Sequence, residues 1–140
     1  MIVLDTNVLS ALMRAAPDNA VVAWLDGQRP ESIWTTTITV FEIRFGIEIL
    51  PDSRRRKQLQ DLFEQVLREG LEQRILAFDA QAARDAATLA ASRQKKGRAI
   101  DFRDTMIAGI VLAQRASIAT RNTRHFADLE VPVIDPWVSA

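Results

Sequence analysis

Three acidic side chains stand where an ordinary core has no use for them. Asp5 follows the apolar triplet Ile2-Val3-Leu4. That puts a carboxylate at the carboxyl end of a first strand, the edge where open α/β sheets bind ligands. Glu42 lies inside the run from Ile38 to Leu50. Residues three and four apart share a helix face, so Glu42 groups with Ile38, Phe45, Gly46 and Ile49 in an apolar stripe. Asp104 groups in the same way with Ile107, Ala108, Val111 and Leu112. An uncompensated charge in such a stripe costs on the order of several kcal/mol. Each acid also has a purely structural explanation. Asp5, with Thr6 and Asn7, suits the cap of a following helix, Glu42 suits one half of an ion pair, and Asp104 suits the first turn near a positive helix end. Asp101, three residues earlier, reads most simply as that helix's N-cap.

Taken together the acids ask for one explanation. Carboxylates that converge raise one another's pKa unless a cation neutralises them. The chain has no cysteine and a single histidine, His125, so the available donors are hard oxygens, which favour Mg²⁺ or Mn²⁺ over zinc. Such an ion activates water and offsets the charge of an in-line phosphoryl displacement. His125 titrates near neutrality in its unperturbed state, yet a lone histidine on a polar turn reads as a surface residue rather than a general base.

The elements that must carry these residues alternate. Short apolar strands are expected at Ile2 to Leu4, Ser32 to Thr37, Arg74 to Phe78, Ser117 to Thr120 and Val131 to Ile134. Helical periodicity fills the gaps, at about Val8 to Arg14, Asn19 to Gly27, Ile38 to Leu50, Asp52 to Glu69, Ala80 to Lys96 and Phe102 to Arg115. Asp52 and Asp79 stand where N-caps belong. Arg44 and Glu48, four apart, are expected to pair on the wetter face of their helix, and Gly46 offers room for close approach by another segment. The basic tetrad Arg54 to Lys57 reads as a solvated helix face. This pattern predicts an α/β fold: one domain over residues 1–140, with a central parallel sheet of about five short strands flanked by helices.

Composition narrows the function classes. The chain of 140 residues carries 18 basic and 18 acidic side chains, which argues against holding nucleic acid mainly by a large positive field. It does not argue against cutting nucleic acid, because clustered acids offset basic residues elsewhere. All the basic residues except Lys57, Lys95 and Lys96 are arginine, the better bidentate partner for phosphate. No apolar run approaches a membrane span, and the opening strand leaves no room for a signal peptide; a cytoplasmic protein is expected. A Walker-type loop is absent. A receiver-type phosphotransfer site needs a lysine at a late strand end, and none stands there.

In order, Ile2-Val3-Leu4-Asp5-Thr6-Asn7-Val8, Thr39-Val40-Phe41-Glu42-Ile43, Asp104-Thr105-Met106-Ile107-Ala108 and Ala119-Thr120-Arg121-Asn122-Thr123 resemble the PIN-domain family, closest to VapC-type toxin ribonucleases and their FitB-like relatives. The resemblance runs from Met1 to the closing Val133-Ile134-Asp135-Pro136-Trp137. It implies that Asp5, Glu42 and Asp104 hold a divalent metal, Mg²⁺ or Mn²⁺, with Thr6 and Asn7 in support and Asn122 as a fourth, uncharged catalytic group. Some relatives carry an aspartate where this chain has His125, which leaves the number of metals open. It further implies an endoribonuclease acting as the toxin of a type II toxin–antitoxin pair. Its expected partners are an RNA substrate, a second copy of itself in a homodimer, and a small antitoxin through which alone it meets DNA. The alternative is a non-catalytic module of the same fold within an antitoxin–DNA repressor complex. Trp24, Trp34, Phe41 and Phe45 are the aromatics that could face a partner, although helical spacing suits most of them to a core.

Overall fold

A computed structural model of the chain describes residues 1–138. Five strands form one parallel sheet: β1 (Ile2–Leu4), β2 (Ile33–Thr36), β3 (Ile75–Leu76), β4 (Ser117–Ala119) and β5 (Val133–Ile134), in the order β3-β2-β1-β4-β5. Six α-helices connect them: α1 (Thr6–Leu12), α2 (Asn19–Asp26), α3 (Thr37–Glu48), α4 (Arg54–Gln65), α5 (Ala80–Lys95) and α6 (Phe102–Gln114). The chain leaves β1 toward β2 on one side and returns to pair β4 on the other. The sheet therefore reverses its order at β1, and a crevice opens beyond the strand ends at such a reversal.

Alternation along the strands divides the core in two. Leu4 and Ala119 pack with Val8, Val21, Ile43 and Phe63 on the face covered by α1 to α4. Their neighbours Val3 and Ile118 pack with Ala82, Ile107, Val111 and Phe126 on the face covered by α5 and α6. α5 and α6 touch where Gly109 meets Ala82 and Ala86. A Cβ on Gly109 would lie 2.4 Å from the Ala82 carbonyl oxygen, so nothing larger than glycine fits there.

Several local expectations need correction. The N-cap of α4 is Ser53, whose hydroxyl accepts from the Arg56 amide, not Asp52. A π-helical turn, Val66–Gly70, then closes that segment. On α3 the buried positions are Thr39, Ile43 and Ile47, one residue round from the stripe that contains Glu42. Phe45 is 47% exposed and Ile49 67%. The apolar stripe is thus not the core face of α3 within one chain, because β2 presents the Thr39 side of the helix to the sheet. Gly46 has no neighbour within 4 Å of its would-be Cβ, so it mediates no close approach in the chain. Arg44 pairs with Glu64, and Glu48 with Arg56, both across to α4 rather than along α3. Trp24 and Trp34 are half-buried against the two cores, whereas Phe41 and Phe45 stack on each other at the surface with centroids 6.1 Å apart.

Candidate active site

The crevice at the sheet reversal is built around Asp5. Its backbone amide donates to Ala119 O at 2.9 Å, extending the β1–β4 pairing by one residue and locking the carboxylate in place. Asp5 also caps α1, with Oδ1 accepting from the Thr6 amide at 2.8 Å. Oδ2 accepts from the Thr120 hydroxyl at 2.8 Å and from the Asn7 side-chain amide at 3.4 Å. The cap and the crevice position, alternatives in the sequence, are held by one side chain at once. Asp5 is 2% exposed. Burial pushes its carboxyl up from 3.8 to about 6; the hydrogen bonds from Thr120 and Thr6 work against this, and the charges of Asp104 and Glu42 add to it. Asp5 thus feels both other acids across the crevice.

Glu42 reaches the crevice from α3. Its Oε1 accepts from the Thr6 hydroxyl at 2.9 Å, and Oε2 lies 3.5 Å from Arg103 Nη1. Behind Thr6 the Thr39 hydroxyl follows at 3.1 Å, and the Thr39 amide is capped by Thr36. Buried threonines at the ends of β2 and β4 thus line the carboxylate pocket with hydroxyls. Asp104 enters from the first turn of α6, where Asp101 is the N-cap as expected, its Oδ1 accepting from the Asp104 amide at 3.1 Å. The Asp104 carboxylate meets His125 Nδ1 at 2.5 Å. Asn7 Oδ1 accepts from the Arg121 amide, and the Asn122 amide donates to Thr120 Oγ1. Asn122 itself is exposed at the rim. A groove of about 730 Å³ leads away from Thr6 and Glu42 between α1, α3 and α4, lined by Ile43, Ile47, Leu59, Arg14 and Arg55 among others.

In kind, the donor set suits a hard divalent cation: a buried carboxylate without a cationic partner, facing two further carboxylates. Among the described residues no group of three or more His, Cys, Asp or Glu side chains is arranged to hold a metal ion. Glu42 lies against Arg103 and Asp104 against the His125 ring. Sequence reasoning missed Thr39, Thr120 and Arg103; His125 is the surface residue expected on its turn, but its contact with Asp104 was not foreseen. Also missed was Arg93, whose signal was present: Ala82, Ala86 and Arg93 recur at helical spacing and are the buried residues of α5.

The family profile of the PIN domain matches residues 2–131. The chain is 41% identical to the VapC ribonuclease Y4jK of Sinorhizobium fredii over the full length of both. Its fold matches the crystal structure of FitAcB from Neisseria gonorrhoeae with a TM-score of 0.89 and 35% identity, over 98% of this chain and 99% of that one. It matches the structure of FitAB bound to an IR36 DNA fragment with a TM-score of 0.90 and 34% identity, over 100% and 98% of the two chains.

Proposed function

This chain belongs to the PIN-domain family, and on that footing we propose that it is a metal-dependent endoribonuclease, the toxin component of a type II toxin–antitoxin pair. The observation that carries the reading is the buried Asp5 carboxylate, which faces Glu42 and Asp104 with no cationic side chain beside it. A charge left in that condition destabilises the fold unless a ligand uses it. Asp5, Glu42 and Asp104 would hold Mg²⁺ or Mn²⁺. When bound there, the ion supplies Lewis-acid stabilisation of the charge that develops on a scissile phosphate.

The chain's own residues do the rest. Thr120 and Asn7 orient the Asp5 carboxylate, and the Thr6 hydroxyl orients Glu42. Arg103, half-exposed and only loosely tied to Glu42, is free to exchange that carboxylate for a phosphate oxygen of the RNA. Asn122 offers a neutral polar group at the rim for water or phosphate. The relatives in the FitAB structures assemble as two-protein complexes, one of them on DNA. By that likeness this chain takes a small antitoxin partner, with the groove beside Glu42 as the surface for it, and meets DNA only through that partner. The exposed Phe41, Phe45 and Ile49 on α3 form the apolar face for a homodimer. No helix among the described residues is long and apolar enough to cross a membrane, and we place the protein in the cytoplasm.

The test is cleavage of a labelled RNA pool by the purified, partner-free protein with Mg²⁺, with Mn²⁺ and with EDTA, beside Asp104→Asn prepared identically. Metal-dependent cleavage that vanishes in the variant is expected. Cleavage that survives Asp104→Asn would sink the assignment of the site.

A further inference from the structure

Behind the acid cluster lies a second centre that the proposed chemistry does not use. Arg93, in the last turn of α5, is 5% exposed. Its guanidinium grips Asp128 with two bonds, Nε to Oδ2 at 2.9 Å and Nη2 to Oδ1 at 2.8 Å. Nη2 also donates to the His125 carbonyl at 2.7 Å, and Nη1 donates to the Thr105 hydroxyl at 3.3 Å. That hydroxyl in turn donates to Asp101 O at 2.7 Å, and Asp101 caps the Asp104 amide. One planar fork therefore ties the end of α5 to two other segments. These are the first turn of α6, which carries Asp104, and the turn that carries Asn122 and His125.

Stability alone does not call for this arrangement, since apolar residues of similar volume replace buried ion pairs at little or no loss. The fork does what an apolar residue cannot: it sets the distance between the His125 backbone and the Thr105 side chain, and so where the Asp104 carboxylate stands. We propose that Arg93 is a positioning residue that holds Asp104 and the Asn122–His125 turn in register with Asp5 and Glu42, and through them sets the affinity of the site for its divalent cation. The inference rests on the metal-binding reading above.

The test is Mn²⁺ binding by calorimetry and by electron paramagnetic resonance on the full chain, well below the unfolding temperature. Wild type is compared with Arg93→Met, Arg93→Lys, Asp128→Asn and Asp104→Asn. Arg93→Met is expected to weaken Mn²⁺ binding by roughly 10–100-fold, as loss of an outer-shell partner does. Arg93→Lys, a point charge unable to span the same partners, should fall between it and wild type. Asp128→Asn keeps the bonds to His125 and Thr105, so it should lower the melting temperature while Mn²⁺ affinity stays within a few-fold. In an Asp104→Asn background, Arg93→Met should change residual affinity little, because the two act as one unit. Should Arg93→Met not fold, Arg93→Lys carries the comparison. Wild-type affinity in the Arg93 variants, with affinity lost in Asp104→Asn, overturns the positioning role and leaves the metal site standing. Affinity that tracks melting temperature across all variants, Asp128→Asn included, also overturns it. No Mn²⁺ binding by wild type overturns both.

Discussion

Two charged centres lie side by side in this small domain, and they are built on opposite terms. At Asp5 a buried carboxylate receives hydrogen bonds from hydroxyl and amide groups but no counter-charge, and two further acids face it. At Arg93 a buried guanidinium meets a carboxylate in bidentate geometry, and a second arginine, Arg98, closes on the same Asp128 at 2.9 Å. The pKa directions record the contrast. Burial raises Asp5 to about 6, whereas hydrogen bonding from Arg93 lowers Asp128 to about 2. A site meant to bind keeps its charge uncompensated, and a site meant to hold pairs it fully. Their adjacency lets the second define the geometry of the first.

The comparison is broken most severely by neutralising the uncompensated centre. Asp5→Asn should reduce RNA cleavage by more than the roughly 10–100-fold of an outer-shell change, measured as kcat/KM with Mg²⁺ or Mn²⁺ in excess. Next in size is Gly109→Ala. The added methyl meets the Ala82 carbonyl oxygen at 2.4 Å and the Ala86 Cβ at 2.7 Å, so α5 and α6 must separate. A loss of about 1–3 kcal/mol is expected from overpacking, read by denaturant unfolding. Amides around Thr105 and Asp128 should shift in NMR spectra more than those around Thr6 and Asn7, because only the paired centre spans these helices.

The same Asp5→Asn change should have the opposite sign on the stability of the metal-free protein. With a folded pKa of about 6 against 3.8, the native state holds a proton through that interval that the unfolded chain releases. Stability from this group therefore falls as pH rises from about 4 and reaches its full penalty above about 6. The Asn variant removes the penalty. It should be more stable than wild type at pH 7.5 in EDTA by about 1–3 kcal/mol, with the gain fading toward pH 4; an unchanged melting temperature at pH 7.5 would contradict the uncompensated charge. Asp128 runs the other way. Its contribution is present above the ordinary carboxylate range and is lost as pH falls toward 2, so Asp128→Asn should flatten acid unfolding only at that end. Smallest is Asp101→Ala, which removes a cap at the edge of both centres and should cost about 1 kcal/mol with cleavage largely retained.

How legible each part was in the sequence follows from the range of the forces involved. Strand ends, helix periods and caps are local, and the residues that make them are neighbours in the chain. The five strands, their parallel class and the caps at Asp79 and Asp101 were readable for that reason. The face of α3 was not. Two stripes compete on that helix, Thr39-Ile43-Ile47 and the more apolar Phe45-Ile49 side, and hydropathy favours the wrong one. Which stripe turns inward depends on how α3 leaves β2, a long-range matter. Glu42 therefore comes to the crevice through the Thr6 hydroxyl, not through burial in an apolar stripe.

Order along the chain alone was enough for the fold class, for a carboxylate at the end of the first strand and for an acid in the first turn of the last long helix, because each follows from spacing over a few residues. Only the folded chain decided that Asp5 lies within hydrogen-bonding reach of Thr120, 115 positions away, that Arg93 reaches across to Asp128, and that His125, exposed on its turn, meets Asp104. Those contacts join residues far apart in sequence, and a single sequence carries no term that ties such partners together. The packing of helices on a twisted sheet supplies it.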